Sequence, residues 1–259
     1  MKSIGLIISA LFITGIVNAG TVVKDSIWTE VKHYGNGNTM SEMSYKNNLL
    51  DGKFIAYFEN GNVKEKGKHE SNLPVGKWEK FYENGKTRTE AFYKNGKLSG
   101  AYKGYFENGK PEFIEYFKEG QKTGKWKYYY ENGNLRDVQY YENHKKTGTW
   151  IYYYESGEKR GEITYVLSKK NGVWKEYYKS GQVMQVTSFR DNQKEGPETK
   201  YFENGVISEK TIYNKHLKNG AYEKFHSNGK LAISGQFSAN TKSGVWKYYD
   251  DEGVLIREE

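Results

Sequence analysis

Glycine recurs in this chain every 24 residues, and a second glycine follows nine residues after each of them. The leading glycines are Gly52, Gly76, Gly100, Gly124, Gly148, Gly172, Gly196, Gly220 and Gly244. The trailing glycines run in the same register from Gly61 to Gly253, and Gly37 extends them one repeat upstream. Because no insertion interrupts this register, the chain must fold as an array of equivalent units.

The residues around the trailing glycine predict a β-hairpin. Asn precedes it in most repeats, as in Asn60-Gly61, and aromatic-rich runs flank the pair. Asn-Gly favours a type I′ turn, in which both central residues need positive φ. We therefore expect one strand before this turn, a second strand after it, and a polar loop that leads to the next leading glycine. A helix is disfavoured by two glycines per unit.

The core of such an array must be aromatic. Hydrophobic residues make up 36% of the chain and aromatic residues 16%, so few aliphatic side chains remain. The residue five positions after each leading glycine is aromatic throughout, from Tyr57 to Tyr249. Strand alternation places it on the opposite face from the residue at plus two. We predict an all-β fold, an elongated array of stacked antiparallel hairpins with nine to ten 24-residue repeats over residues 28–259.

The N-terminus has the pattern of a signal peptide. Lys2 precedes an apolar run, and Val17-Asn18-Ala19 supplies small residues at the cleavage positions. We expect residues 1–19 to be removed, residues 20–27 to form a short lead, and the chain to be exported to the periplasm, the cell surface or the medium. An uncleaved anchor is the alternative, but the run is short for a membrane span. The absence of cysteine excludes disulfides and a thiolate metal site.

The unit Gly124-Lys125-Trp126-Lys127-Tyr128-Tyr129-Tyr130-Glu131-Asn132-Gly133 resembles the bacterial MORN-repeat variant, and the segment 76–86 is equally similar. This resemblance covers about residues 28–259. It implies β-hairpins stacked into elongated sheets, with roles in protein–protein contact, scaffolding and sometimes membrane or phosphoinositide binding. Bacterial members are often labelled antitoxin-like. The resemblance brings no catalytic residues with it.

The residues themselves also give no sign of an enzyme. The five histidines form no helical metal-binding pair and join no nucleophile motif. Paired carboxylates occur only as copies in successive turns, whereas a glycosidase needs two carboxyl groups in distinct environments. We therefore expect no catalytic residue, no metal site and no cofactor.

A ladder of lysines is the first candidate binding feature. Each stands two residues before a leading glycine, in the expected loop: Lys122, Lys146, Lys170, Lys194, Lys218 and Lys242. Such an edge could attract an anionic lipid or glycan. Solubilising charges copied by duplication are the simpler interpretation, because charged loops are common.

A tryptophan column and a few deviations from the repeat are the other candidates. Trp78, Trp126, Trp150, Trp174 and Trp246 could stack on sugar rings or a partner's aromatic residues, although packing between repeats is the favoured interpretation. Glu198 interrupts this column, and Glu158 and Arg160 alter one turn. We expect these three residues to contribute specificity, and Glu198→Trp to keep the fold while changing binding.

The sequence thus favours a non-catalytic exported protein that binds or scaffolds a protein partner through an extended aromatic and charged β-surface, at the bacterial envelope or on a host cell. An antitoxin or immunity protein that neutralises a toxin is one alternative, and a binder of anionic lipid or glycan is another. Nucleic acid is disfavoured, because the formal charge of +8 is modest and charges of both signs alternate.

Overall fold

The computed structural model describes residues 25–259, so the predicted signal peptide and most of the short lead lie outside the described residues. The described chain is all-β, with 24 strands that pair antiparallel, as predicted. Contacts group it into two compact units, which divide between Thr123 and Gly124. Within residues 25–259, no helix is long and apolar enough to cross a membrane.

The first unit contains ten strands: β1 Ile27–His33, β2 Thr39–Lys46, β3 Leu49–Tyr57, β4 Val63–Glu70, β5 Leu73–Phe81, β6 Thr87–Lys94, β7 Lys97–Leu98, β8 Gly100–Tyr105, β9 Pro111–Lys118 and β10 Gln121–Lys122. The second unit contains fourteen: β11 Gly124–Tyr129, β12 Leu135–Glu142, β13 Lys145–Lys146, β14 Gly148–Tyr153, β15 Lys159–Val166, β16 Lys169–Lys170, β17 Gly172–Tyr177, β18 Val183–Arg190, β19 Gln193–Tyr201, β20 Ile207–Asn214, β21 Leu217–Phe225, β22 Leu231–Ser238, β23 Thr241–Tyr249 and β24 Leu255–Glu258.

The trailing glycine closes a hairpin, but the turn is not the predicted type I′. The Gly61 N–H donates to the Phe58 carbonyl at 3.0 Å, and the Phe58 N–H donates to the Asn62 carbonyl at 2.8 Å. Gly61 has φ of +87°, whereas Asn60 is not among the residues with positive φ. The loop is therefore a type I turn followed by a left-handed glycine. The aromatic residue six positions after the leading glycine, here Phe58, lies in this turn and not in a strand.

Asparagine is used in this turn for its amide. The Asn60 side-chain oxygen Oδ1 accepts the Asn62 N–H at 2.9 Å, and the Asn60 side-chain amide Nδ2 donates to the Glu83 backbone carbonyl of the next turn at 3.2 Å. The same pair of contacts recurs at Asn132, which bonds to the Glu155 carbonyl at 2.8 Å. The preference for Asn therefore comes from a hydrogen bond between successive repeats, not from a positive φ.

The type I′ turns occur at the other end of the hairpins, where we expected a polar loop. Ser71 and Asn72 have φ of +47° and +69°, and the flanking residues Glu70 and Leu73 pair directly. The equivalent turn recurs between successive repeats, up to Ala239-Asn240. The leading glycine follows this turn and lies in a β-bulge. Around Gly76, which has φ of +68°, the pairing of β5 with β4 is irregular. Val75 pairs with Lys68, and the next paired residue of β5, Glu79, pairs with Lys66.

Each unit has one sheet face built from rings, which we call the aromatic face. In the first unit, His69 packs against Phe54 and Trp78, with ring centroids 5.6 and 4.9 Å apart. Neighbouring strands make room for these rings. A Cβ added at Gly67 would lie 2.3 Å from the Trp78 ring, so this glycine provides the space that the indole occupies.

In the second unit the aromatic face holds the best-buried side chains. Trp150, Ile163 and Tyr165 form a buried cluster, and Tyr141 and Trp174 pack against it. The Trp150 ring centroid lies 4.7 Å from that of Tyr165 and 5.3 Å from that of Tyr141. The opposite face of each unit carries charged pairs and the tyrosine or phenylalanine at plus five.

Candidate functional site

The ladder lysines lie in strands and not in loops, which corrects the sequence-based placement. In the second unit their ammonium groups lie over the rings of the aromatic face. Lys146 Nζ is 4.5 Å from the Trp150 centroid, and Lys242 Nζ is 4.6 Å from that of Trp246. Lys170, Lys194 and Lys218 lie over Phe189, Tyr213 and Phe237 at 5.3, 4.7 and 5.0 Å. Each lysine thereby covers apolar ring surface with its stem and gains a cation–π contact. Lys122, in β10, is half-buried.

The tryptophan column lies inside the packing. Trp126, Trp150 and Trp246 are 1%, 4% and 4% exposed. Trp78 and Trp174 are half-buried. The indole N–H of Trp150 donates to the Tyr140 carbonyl at 3.2 Å, which satisfies its polar atom within the fold. A partner cannot reach the three buried rings without opening the sheet.

Glu198 is the least expected residue of this face. Its side chain is 2% exposed, so it does not lie on a surface that a partner could read directly, as the specificity interpretation requires. Its carboxylate bonds to the Lys194 ammonium and accepts hydrogen bonds from Thr187 Oγ1 at 3.0 Å and Gln185 Nε2 at 3.1 Å. Tyr213 donates to its other oxygen at 3.3 Å. Buried charge is tolerated here because every side of the carboxylate is bonded.

A second carboxylate extends this polar part of the aromatic face. Glu209 pairs with Lys200 at 3.0 Å and accepts a hydrogen bond from the Tyr222 hydroxyl at 3.3 Å. Burial, and then Glu209, raises the pKa of Tyr222 to about 12. Burial, and then Glu198, raises the pKa of Tyr213 to about 12. Both tyrosines therefore stay neutral donors at ordinary pH.

The remaining deviations from the repeat are exposed. Glu158 follows the turn glycine Gly157, and the Ser156 hydroxyl lowers the pKa of Glu158 below its usual value. The Arg160 guanidinium lies 5.7 Å from the Tyr152 ring centroid. These two residues are accessible, unlike Glu198. Within residues 25–259, no group of three or more histidine and carboxylate side chains is placed to hold a metal ion.

An uncharged stripe crosses the second unit on the face opposite the rings, and the sequence analysis missed it. It consists of the residues one and 16 positions after the leading glycines from Gly148 onward: Thr149, Thr164, Val173, Ser188, Pro197, Ile212, Ala221, Gln236 and Val245. These positions pair across strands, as in Val173 with Ser188 and Pro197 with Ile212. Val173, Ile212 and Val245 are 44%, 37% and 55% exposed. Earlier in the chain the same positions are mixed: Lys53, Lys68, Lys77 and Lys125 are charged, whereas Phe92, Ala101, Tyr116 and Tyr140 are not.

The signal for this stripe was present in the sequence as a lack of charge. In a chain with 28% charged residues, nine successive positions of these two columns without a charge, from Thr149 to Val245, are a deviation from the composition. Single columns of small and β-branched residues attract little notice, however. Only the cross-strand pairing shows that the two columns form one surface.

The geometry defines the class of this protein as a β-hairpin repeat protein whose surfaces are sheet faces and turn edges. The sequence profile of the MORN repeat variant matches residues 50–70, 74–95, 98–119, 122–143, 146–166, 170–191, 194–215 and 218–239. The chain therefore belongs to the MORN repeat variant family, and eight of its repeats match that profile. Repeats of this family are generally non-catalytic.

No protein of curated function matches the chain. Among solved structures, a chain of the crystal structure of TcdB2-TccC3 is similar over 86% of this chain, at 9% sequence identity and a TM-score of 0.16. This chain spans only 14% of that chain's length. A likeness this weak carries no argument about fold or function.

Proposed function

We propose that this chain is an exported, non-catalytic protein that binds or scaffolds a protein partner at the bacterial envelope or on a host cell. The observation that carries the proposal is the uncharged stripe of the second unit. The centres of protein interfaces are depleted of charged residues and surrounded by polar rims. The stripe has this composition, with exposed Val173, Ile212 and Val245 along it.

The charged residues beside the stripe fit the rim of such an interface. Lys210 pairs with Glu223 at 3.2 Å, and Lys159 pairs with Glu162 at 2.6 Å. Lys210, Glu223 and Glu162 lie on the same face of the sheet as the stripe, one pleat nearer to the glycine turns, and Lys159 pairs with Tyr153 beside the turn itself. Charges of both signs in the rim favour orientation and specificity over raw affinity. A flat surface spread over several repeats would add up many modest contacts.

Site-specific photo-crosslinking tests the proposal. A benzophenone amino acid replaces Ile212 in the stripe or Ser227 in an exposed turn, and the full chain is incubated with producer envelope and with host-cell extract. We expect one protein to be crosslinked at position 212 and not at position 227. Val173→Lys combined with Ile212→Lys should abolish that crosslink from a probe at position 245. Equal crosslinking at 212 and 227, or a crosslink that survives the two lysines, contradicts the proposal.

The same experiment separates the alternatives. A small toxic protein captured from the producer would identify an antitoxin or immunity role, which remains a prediction. The lysine ladder is a weaker candidate for anionic lipid, because its ammonium groups in the second unit already lie on rings. Export is tested separately by fractionating producer cells and sequencing the mature N-terminus, which is predicted to be Gly20.

A further inference from the structure

A second candidate site lies in the first unit, on the face opposite its rings. It is a cleft of about 350 Å³ lined by Lys94, Asn95, Lys97, Ser99 and Glu119. We call it the β6–β9 cleft, because β8 lies between β6 and β9 and pairs with both. This site does not depend on the stripe of the second unit or on the proposed protein partner.

Two exposed aromatic rings stand beside this cleft. Phe92 on β6 is 45% exposed and Tyr116 on β9 is 42% exposed. Strand alternation places Phe92 on the same face as Lys94, and Tyr116 on the same face as Lys118. Two strand spacings separate the rings, which is about 10 Å.

The floor between the two rings is low. Ala101 pairs with Tyr116, and a Cβ added at Gly100 would meet only the Phe92 Cβ, at 3.9 Å. The surface is therefore a shallow trough with an aromatic wall at each end. A ligand placed between the two rings would lie over Gly100 and Ala101, which have no long side chain.

The charge around the trough is positive. Lys94, Lys97 and Lys118 are exposed, and in the described part of the chain none of the three is ion-paired or bonded through its ammonium. Glu119 is the one carboxylate among the lining residues. Three exposed ammonium groups against one carboxylate favour an anionic ligand. Ser99 and Asn95 add groups that can bond to hydroxyls.

We propose that the β6–β9 cleft binds a short acidic oligosaccharide. The C–H faces of two sugar rings stack on Phe92 and Tyr116, and the sugar carboxylates pair with Lys94, Lys97 and Lys118. In an extended β-linked chain every second ring presents the same face, and the separation of the aromatic walls, about 10 Å, suits such alternate rings. Lipid fits less well, because the trough offers no apolar depth for an acyl chain.

The extent of the charge also favours a short ligand over a long polyanion. The positions of Lys94 and Lys97 are taken by Glu70 and Leu73 in the preceding repeat. The lysine cluster is therefore confined to this part of the first unit. Single-stranded nucleic acid is bound by positive grooves that follow its backbone over many nucleotides.

The second unit supplies a matched control. An equivalent cleft of about 280 Å³ is lined by Asn214, Lys215, Leu217, Asn219 and Ala239. It has the same turn and strand framework, but Gln236 stands where the β6–β9 cleft has Tyr116, and Ile212 where it has Phe92. At the positions of Lys94, Lys97 and Lys118 it has Asn214, Leu217 and Ser238, and its one lining lysine is Lys215. Shape alone would let both clefts bind, whereas the proposed chemistry allows only the first.

Isothermal titration of the full chain tests the proposal with three probes: a hyaluronan tetrasaccharide, neutral cellotetraose and a thymidine oligonucleotide. We expect the acidic tetrasaccharide to bind, with affinity that falls as salt rises. Phe92→Ala with Tyr116→Ala, and Lys94→Gln with Lys97→Gln, should each weaken binding at least tenfold. Lys215→Gln with Gln236→Ala should leave it unchanged.

All variants are compared by circular dichroism and thermal unfolding, so that loss of fold is separated from loss of binding. The exposed lysine pair serves as the second test if the aromatic variant unfolds. The proposal is overturned if the tetrasaccharide does not bind, or if the oligonucleotide binds more tightly. It is also overturned if the variants of the β6–β9 cleft bind the tetrasaccharide as tightly as the control variant Lys215→Gln, Gln236→Ala. The stripe variants Val173→Lys and Ile212→Lys should not change tetrasaccharide binding, so either proposal can fail alone.

Discussion

The Lys66 ammonium lies 5.0 Å from the centroid of the Phe81 ring, across neighbouring strands of the face opposite the aromatic stack. At the equivalent position of other repeats, a tyrosine faces a glutamate: Tyr57 donates to Glu42 at 2.7 Å, and Tyr177 to Glu162 at 3.1 Å. Phe225 again faces a lysine, Lys210, at 5.3 Å. A lysine on one strand thus faces a phenylalanine on the next, whereas a glutamate at the same position faces a tyrosine, whose hydroxyl can donate to it.

A double-mutant cycle on Glu42 and Tyr57 tests whether this pairing contributes to stability. We expect Tyr57→Phe to lower the free energy of unfolding by about 1 kcal/mol, because a hydrogen bond to a charged acceptor is lost. Tyr57→Phe in a Glu42→Gln background should cost less, since the acceptor has lost its charge. Urea denaturation measures all four proteins. Tyr201→Phe, which faces Val186, is the control and should change stability by less than about 0.5 kcal/mol. Equal effects at both tyrosines would contradict the pairing.

Alkaline pH should destabilise the fold, starting near the unfolded tyrosine pKa of about 10. The hydrogen bond to Glu42 raises the pKa of Tyr57 to about 12, and burial does most to raise the pKa of Tyr213 and Tyr222 to about 12. A raised folded pKa stabilises the fold below the unfolded value of about 10, and this contribution disappears as pH rises to about 12. Urea midpoints at pH 8, 10 and 11 measure the loss. The double variant Tyr213→Phe, Tyr222→Phe should show a shallower decline, and an identical slope would refute this assignment.

Removing the buried carboxylate should be costly. Glu198→Ala leaves Thr187 and Tyr213 without their acceptor and leaves Gln185 with Thr187 as its acceptor. We expect a loss of about 2 kcal/mol, moderated because Lys194 can turn towards water. Glu198→Trp should be better tolerated than Glu198→Ala. A tryptophan there would lie under Lys194 as Trp174 lies under Lys170, at 5.8 Å. Thermal unfolding of both variants checks the order, and an alanine variant as stable as the native chain would disprove the role of the network.

One type I′ turn offers a stabilising substitution. Leu167 has φ of +49° and is 67% exposed, so it adopts a left-handed conformation without burying its side chain. Asn tolerates this conformation better than Leu. We expect Leu167→Asn to raise the free energy of unfolding by about 0.5–1 kcal/mol. Asn143→Leu at the equivalent turn is the mirror control and should lower it by a similar amount, because Asn143 has φ of +46°. A gain at both positions would rule out this explanation.

The repeat length, the hairpins and the aromatic core could all be predicted from the glycine register and the composition. The turn types could not. Asn60-Gly61 has the usual type I′ sequence yet forms a type I turn with a left-handed glycine, because its amide bonds to the next repeat. Leu167-Ser168 forms a type I′ turn with no such sequence, because the flanking strands fix its geometry. Both turn types are therefore set by contacts with other strands and turns, which a local sequence pattern does not contain.

Of the candidate sites, sequence reasoning found the columns but not their surroundings. The sequence shows Lys146 as a charged residue of the kind usually found at the surface. Its position over the Trp150 ring can be derived only when the register between neighbouring strands is known. Glu198 stands out as a break in a column, but charged residues are rarely buried, so its burial could not be anticipated. The uncharged stripe and the β6–β9 cleft both depend on cross-strand neighbours, which a single sequence does not give.

The asparagine contacts between turns have a consequence for how such a chain can change over generations. Asn60 and Asn62 both reach the Glu83 carbonyl, and Asn132 and Asn134 both reach that of Glu155. The acceptor is a backbone atom, so the link is the same whichever side chain the next turn carries. Unequal recombination that adds or removes 24 residues at these turns would therefore restore every such bond. The number of repeats can therefore change during evolution while the turn-to-turn hydrogen bonds stay the same. Surface residues, such as those of the stripe, can change independently of these bonds.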